Sequence, residues 1–122
     1  MHFSSKTDQW TTPKDFYDTL NAEFNFDFDP CPVNPSFNGL LVDWGKRNYM
    51  NPPYGREIGK WVKRASEHPL TVCLLPARTD TKWFHEYILG KAEIRFIKGR
   101  LKFGNATNSA PFPSMVVIFR GE

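Results

Sequence analysis

Residues 47–76 have the sequence RNYMNPPYGREIGKWVKRASEHPLTVCLLP, and this stretch decides the fold. Its first four residues favour a short strand, and the prolines and glycine of residues 51–55 end any further strand pairing. Apolar side chains then recur at helical spacing, at Ile58, Trp61, Val62 and Ala65. The apolar run 70–75 predicts a buried strand. A helix between two strands indicates an α/β protein.

The elements outside this stretch extend the same pattern. A first helix is predicted at about 13–24, with Thr12 as its N-cap. Residues 26–29 alternate apolar and polar and predict a short strand. The remaining elements are a helix from Asp80 or Thr81 to Leu89 and short strands at 93–97, 101–103 and 114–120. We therefore expect a mostly parallel sheet whose C-terminal strands form an antiparallel pair, because only a loop joins them.

Length and composition exclude several classes of protein. The 122 residues suit one domain, and 16 basic against 13 acidic side chains give a net charge of +3, which neither establishes nor opposes a nucleic-acid partner. No apolar run approaches a membrane span, and residues 1–6 lack a signal-peptide core, so we expect a cytoplasmic protein without membrane partners. Cys31 and Cys73 are expected to be buried reduced thiols, and the scattered histidines predict no metal site.

Three predicted strands end in polar residues, at Asp29, at Asn51 and at Arg78 to Asp80. The carboxyl ends of parallel strands meet at one edge of a sheet, where α/β proteins bind ligands. Strand ends are commonly polar, however, so position alone does not establish a site.

The tetrapeptide Asn51-Pro52-Pro53-Tyr54 adds a chemical argument. An exocyclic amine on adenine is a poor nucleophile, because its lone pair is delocalised into the ring. The Asn51 side-chain oxygen and the Pro52 carbonyl can accept its two N–H groups, and the fixed φ of both prolines holds that carbonyl in place. The Tyr54 ring can stack on the base, which contributes about 1–3 kcal/mol. These four residues are therefore the candidate catalytic loop.

This tetrapeptide is the signature of amino-methyltransferases, which methylate adenine N6, cytosine N4 or protein glutamine with S-adenosylmethionine. The wider sequence resembles the phage-type (Dam-like) DNA N6-adenine methyltransferases. The matching segments occur in family order and are 8–13, 28–31, 39–40 with Trp44, 51–55, 74–81 with 83–85, 94–103 and 110–114.

The resemblance implies a minimal Rossmann-like methyltransferase sheet with a reduced cofactor-binding half. We expect a single methyltransferase domain over residues 1–122, with residues 1–9 flexible and no separate target-recognition domain. A Phe-x-Gly-x-Gly loop is missing, and the short connection from Asp29 to Tyr49 leaves no room for two more strand–helix units. Either the affinity for cofactor is low, or a homodimer or partner chain completes the site.

The resemblance also implies two sets of binding residues. The cofactor set is Trp10, Thr11, Thr12, Pro13, Asp29, Pro30, Cys31 and Asn51. The substrate set is Tyr54, Arg56, Arg78, Thr79, Asp80, Lys102 and Phe103. Structural alternatives remain open at this stage, namely core packing for Trp10, Cys31 and Phe103, and a local ion pair for Arg78 with Asp80.

Phosphate contacts have several candidates. Lys46, Arg47 and Arg56 are favoured by their proximity to the catalytic loop, and the 98–102 segment is a further option. The cluster of Lys60, Lys63 and Arg64 is interpreted as a solvated helix face.

The function predicted from these residues is S-adenosylmethionine-dependent methylation of adenine N6 in DNA, with the target base flipped out of the duplex. Two alternatives stay open. The acceptor could be RNA adenine, cytosine N4 or protein glutamine, or the chain could be a non-catalytic nucleic-acid-binding relative.

Overall fold

A computed structural model describes residues 10–33, 35–68, 70–104 and 108–121. The elements in chain order are α1 (Lys14–Phe24), β1 (Asn48–Met50), α2 (Ile58–Ser66), β2 (Thr71–Pro76), a π-helix (Phe84–Ile88), β3 (Glu93–Phe96) and β4 (Ser114–Phe119). The predicted flexible segment 1–9 lies outside the described residues.

The four strands form one mixed sheet in the order β1-β2-β4-β3. β1 runs parallel to β2, whereas β4 runs antiparallel to both β2 and β3. The α/β class and the antiparallel C-terminal pair are therefore confirmed, but the expectation of a mostly parallel sheet is wrong. The reason is that β4, whose residues are all buried, inserts between β2 and β3 instead of closing an edge.

Two of the short predicted strands, at 26–29 and 101–103, do not form regular strands. Phe28 makes one isolated parallel bridge with Asn48, in which the Tyr49 N–H donates to the Phe28 carbonyl at 3.0 Å. Residues 101–103 form no strand, since this segment is tied instead by a bond from the Ala110 N–H to the Leu101 carbonyl at 2.8 Å. The 26–29 segment nevertheless runs alongside β1 and in the same direction, which decides where Asp29 lies.

The helices begin differently from the prediction. α1 has Pro13 at its N-cap and no side-chain cap, because the Thr12 hydroxyl bonds elsewhere. The predicted third helix is a π-helix, closed by a bond from the Leu89 N–H to the Phe84 carbonyl at 2.9 Å. Thr81 does act at its start, since its hydroxyl oxygen accepts the Phe84 N–H at 3.3 Å.

The core lies along β2 and β4, with the apolar face of α2 packed against it. Ile58, Trp61, Val62 and Ala65 are all buried, as their spacing predicts. Cys31 and Cys73 are free and buried, as expected. Among the described residues, none of the helices is long and apolar enough to cross a membrane.

Candidate active site

The strand ends that carry polar residues meet at one edge of the sheet. Phe28 aligns in parallel with Asn48, and Met50 aligns in parallel with Cys73. Asp29, the loop at Asn51 and the segment after β2 therefore leave the sheet in the same direction. This convergence is what the sequence predicts for a site at the carboxyl ends of parallel strands.

The Asn51 side chain is held in one orientation by two acceptors. Its Nδ2 donates to the Trp10 carbonyl and, at 3.0 Å, to the Thr12 hydroxyl oxygen. Since both partners face the nitrogen, the amide oxygen must point the other way. That Oδ1 is buried and has no hydrogen-bond partner among the described residues. An unsatisfied buried acceptor costs about 1–3 kcal/mol, which an incoming N–H donor would recover.

Thr12 is itself anchored to the sheet. Its hydroxyl lies 2.6 Å from the hydroxyl of Tyr49, a residue of β1 that is 2% exposed. Burial raises the pKa of Tyr49, so this hydroxyl stays neutral. The Tyr17 ring of α1 packs edge-on against Tyr49 at 5.1 Å. The amide of Asn51 is thus fixed by a chain of contacts that ends in a buried strand.

Both prolines of the candidate catalytic loop, Pro52 and Pro53, are buried. The carbonyl of Pro52 accepts no hydrogen bond within the parts of the chain that the structure describes. Asn51 Oδ1 and the Pro52 carbonyl are therefore two acceptors on consecutive residues, and neither has a hydrogen-bond partner among the described residues. A primary amine has two N–H groups to match them.

Tyr54 is buried rather than open at the surface. Its ring is 5% exposed, and its hydroxyl donates to the Leu74 carbonyl at 2.8 Å. Phe112 and Phe103 pack edge-on against the ring, with centroids at 5.7 and 6.3 Å. Burial raises the pKa of Tyr54, so the phenol is neutral. A base can stack on this ring only after its aromatic neighbours move.

Trp10, Tyr54, Phe103 and Phe112 together form what we call the aromatic cluster. Trp10 packs edge-on against Phe103 at 5.4 Å and against Phe112 at 5.2 Å. Phe103, a predicted substrate residue, is only 1% exposed. The sequence analysis assigned no role to Phe112, although its position between Pro111 and Pro113 could have marked it as a candidate site residue.

A cleft of about 230 Å³ lies beside Asn51, and we call it the cofactor cleft after its predicted role. Six of the predicted cofactor residues line it, namely Trp10, Thr11, Thr12, Asp29, Cys31 and Asn51. Pro13 and Pro30 do not line it. Sequence reasoning missed four lining residues, Lys14, Tyr17, Val33 and Tyr49, because their roles depend on how α1 packs on β1.

Asp29 is the acidic group of the cofactor cleft. Burial raises its pKa to about 6, and a hydrogen bond from the Cys31 backbone N–H at 2.8 Å opposes that rise. No salt bridge reaches this carboxylate among the described residues. Burial, with Asp29 adding to it, raises the pKa of the Cys31 thiol to about 12, so this thiol is protonated at neutral pH.

The polar substrate residues stay at the surface. Arg56, Arg78, Thr79, Asp80 and Lys102 are all exposed. No ion pair links Arg78 to Asp80 within the described chain, so the local alternative is not what the structure has. Arg56 and Arg78 instead line a groove beside α2, whereas Lys102 does not.

The expectation that Lys46 and Arg47 lie close to the candidate catalytic loop is wrong. Both residues precede β1, so they lie at the opposite end of the strand from Asn51. The Arg47 guanidinium donates to the Phe24 carbonyl at 3.4 Å. Closeness in the sequence to the catalytic loop was misleading because a strand separates the two ends.

The fold and the site define an α/β protein in which an Asn-Pro-Pro-Tyr loop follows a parallel strand and borders a cleft. The chain belongs to the DNA N-6-adenine-methyltransferase (Dam) family, whose sequence model matches residues 2–121. It is similar to the DNA N-6-adenine-methyltransferase of Escherichia phage T1, with 28% identity over 110 residues, covering 77% of this chain and 46% of the phage protein. The chain thus spans about half the length of this curated relative.

Proposed function

We propose that the protein transfers a methyl group from S-adenosylmethionine to the N6 amine of adenine in DNA. The observation that carries this proposal is the buried, unpartnered Asn51 Oδ1 at the edge of the cofactor cleft. Family membership supports the same reaction and the same acceptor.

The cofactor cleft fits one part of S-adenosylmethionine. That molecule carries positive charge on its sulfonium and ammonium groups, and Asp29 supplies a half-buried carboxylate without a salt-bridge partner among the described residues. Trp10 and Tyr17 offer apolar faces in the same cleft. We assign Trp10, Thr11, Thr12, Asp29, Cys31 and Asn51 to cofactor binding. When bound there, the cofactor supplies an electrophilic methyl group.

The chain activates the acceptor by positioning. Asn51 Oδ1 and the Pro52 carbonyl accept hydrogen bonds from the two N–H groups of adenine N6. These bonds stabilise the positive charge that develops on the amine during the transfer. The amide cannot turn its nitrogen toward the substrate, because Trp10 and Thr12 hold Nδ2. The amine lone pair would form the new N–C bond as the methyl–sulfur bond breaks and leaves its electron pair on sulfur, and the methylated amine would then lose its extra proton to water. No general base therefore has to act before the transfer.

The target base has to displace the aromatic cluster to stack on Tyr54. Trp10 comes from the segment before α1, whereas Phe103 and Phe112 lie after β3, so the cluster joins distant segments that can separate. We propose that the flipped adenine takes a place between Tyr54 and Phe103 and that Trp10 then turns toward the cofactor.

The sheet is consistent with a reduced Rossmann-like methyltransferase domain, in which β1 and β2 form the parallel part. The cofactor cleft is small, at about 230 Å³, against roughly 300–1,000 Å³ for typical ligand pockets. We propose that a second copy of the chain or another partner chain completes it.

The test is product analysis. Wild-type protein is incubated with duplex DNA and isotopically labelled S-adenosylmethionine, and the nucleosides are identified by mass spectrometry. We expect N6-methyladenine, with Asn51→Ala reducing its formation by roughly 10²–10³-fold, by analogy with the removal of an oxyanion-hole donor. Asn108→Ala is the matched control, since that asparagine is exposed.

Any other outcome of the product analysis would favour one of the alternative functions or contradict the role of Asn51. N4-methylcytosine, labelled RNA adenine or labelled protein glutamine would replace the proposed acceptor. Equal N6-methyladenine from the wild type and Asn51→Ala would contradict the role of the amide oxygen. Absence of product, together with no heat on titration with the cofactor, would favour the non-catalytic alternative.

A further inference from the structure

A second cleft lies on the other side of the catalytic loop, between α2 and the segment that leads into the π-helix. Its volume is about 470 Å³. Its charged lining is predominantly cationic, with five basic side chains, Arg56, Lys60, Lys63, Arg78 and Lys82, against one acidic side chain, Glu86. We call this cleft the basic groove. With the glutamates that pair with Lys60 and Lys63, namely Glu57 and Glu67, its local charge is still positive.

The floor of the basic groove is shaped by a glycine and a tryptophan. A Cβ atom placed on Gly59 would lie 3.7 Å from the Trp83 Cβ, in ordinary van der Waals contact. Because Gly59 has no side chain, it leaves the bottom of the groove open. The lysine side chains line the two walls. Lys60 and Lys63 come from the α2 wall, and Lys82 comes from the opposite wall.

The cations of the groove are available to a ligand. Lys60, Lys63 and Lys82 pair with glutamates at 3.3 to 3.5 Å, and their side chains are 59 to 86% exposed. Exposed pairs of this kind contribute about 0–1 kcal/mol, so a phosphate can replace the glutamate at little cost. Arg56 and Arg78 have no ion pair among the described residues.

Arg95, a cation that connects two elements of the fold, has shorter ion pairs than the lysines of the basic groove. Arg95 makes bonds of 2.7 Å to both oxygens of Glu23, which tie β3 to α1, and another of 2.7 Å to Glu93 within β3. None of the lysines in the basic groove has such a bidentate arrangement. Their charge is therefore not committed to holding elements together.

The basic groove begins at the catalytic loop. Gly55 and Arg56 line it and directly follow Tyr54, and Arg78 follows β2 at the same edge of the sheet. A polyanion lying in the groove would pass beside the loop that holds Asn51. From there it would continue between Lys60 and Lys82.

We propose that the basic groove binds the phosphate backbone of the DNA substrate next to the flipped adenine. The choice of DNA as the polyanion rests on the proposed function. Lysines and arginines that neutralise phosphates release condensed counterions, which makes binding strong at low salt and steeply salt-dependent. Lys60 and Lys63 then belong to the substrate surface, in contrast to their interpretation from the sequence as a solvated helix face.

The test compares two double variants that remove equal charge. Lys60→Gln with Lys82→Gln removes one lysine from each wall of the groove. Lys46→Gln with Arg120→Gln is the control, because both side chains are exposed, line neither cleft and lie at the opposite edge of the sheet. Binding of labelled duplex DNA is followed by fluorescence anisotropy over about 50–200 mM salt, and thermal unfolding confirms that both variants fold.

For the groove variant, we expect the slope of log K against log salt to become less negative by about two units. Each phosphate contact in duplex DNA contributes about −0.9 to this slope. Its affinity at about 100 mM salt falls roughly tenfold or more. The control variant keeps the wild-type slope within about half a unit. Equal slopes for the two variants would overturn the proposal, and so would a groove effect seen with duplex RNA but not with DNA.

Product analysis separates this proposal from the proposed function. If the wild type forms N6-methyladenine while both variants bind DNA with equal slopes, the basic groove assignment fails and the function stands. If the wild type forms no N6-methyladenine while the groove variant alone loses slope, the function fails and the DNA surface stands.

Discussion

The cofactor cleft and the basic groove flank the same loop, yet they are built in opposite ways. The cofactor cleft holds one half-buried carboxylate, Asp29, and a hydrogen-bonded chain anchored in β1. The basic groove presents exposed lysines whose ion pairs are long and weak. A buried network fixes atoms to within fractions of an ångström, whereas exposed charges attract a ligand without fixing it. The first cleft is therefore suited to orienting atoms, and the second is suited to the proposed binding of a polyanion.

The largest effect that sharpens this comparison is expected at Thr12. Thr12→Val removes the hydroxyl that accepts Asn51 Nδ2. Only the Trp10 carbonyl then holds the amide nitrogen, so Oδ1 is directed at the amine less firmly. We expect the rate at saturating DNA and cofactor to fall about 10–100-fold, which corresponds to about 1–3 kcal/mol. Steady-state kinetics measure it.

Thr12→Ser is the matched control for that prediction. Serine keeps the hydroxyl and loses only a methyl group, so it should restore most of the rate. If the valine and serine variants are equally slow, the effect comes from packing rather than from the hydrogen bond to Asn51.

The next effect concerns the pH dependence of cofactor binding. A cationic ligand favours ionised Asp29, whose pKa is about 6 in the free protein. Binding therefore releases a proton, and affinity should rise with pH up to about 6 and level off above it, with a slope of up to about tenfold per pH unit on the acid side. Calorimetry from pH 5 to pH 8 measures this, and Asp29→Asn should bind more weakly at pH 8 with a flat profile.

Asp29 also affects stability with a definite sign. Its pKa in the fold, about 6, lies above the ordinary 3.8, so the stability that protonated Asp29 contributes at low pH is lost as pH rises through this range. Asp29→Asn should therefore raise the free energy of unfolding at pH 7, by on the order of 2–3 kcal/mol, and much less at pH 4. A variant that unfolds more easily than the wild type at pH 7 would contradict the burial of an unpaired carboxylate.

The smallest effect is expected from one arginine of the basic groove. Arg78→Gln should raise the KM for DNA about threefold to tenfold and reduce the salt slope by about one unit. Lys46→Gln is the control at the opposite end of β1. An unchanged KM for Arg78→Gln would place the DNA backbone away from this wall.

Residues 47–76 were the most predictable part of the fold. A β-strand, a proline turn, an amphipathic helix and an apolar strand each carry a local signal, and all four occur with nearly the expected bounds. The position of β4 was not predictable in the same way. The strands that β4 pairs with depend on which position in the sheet buries both of its faces. The sequence of β4 alone carries no local pattern that specifies those partners.

The candidate site divides in the same manner. Asn51 was identified by its motif, but the role of Thr12 was not, because a threonine before a proline at a helix start has the local pattern of an N-cap. Its hydroxyl bonds to Tyr49 and Asn51 instead, both distant in the sequence. The burial of Tyr54 by Phe112 likewise depends on a loop that returns from the far end of the chain.

The division of labour between the two clefts is tested most directly by measuring kcat and the KM for DNA in parallel for Thr12→Val and for Lys60→Gln with Lys82→Gln. We expect Thr12→Val to lower kcat about 10–100-fold while the KM for DNA stays close to wild type. We expect the groove variant to raise the KM for DNA about tenfold, with a much smaller change in kcat. If both variants change the same parameter to a similar extent, the two clefts do not have separate roles and the account is wrong.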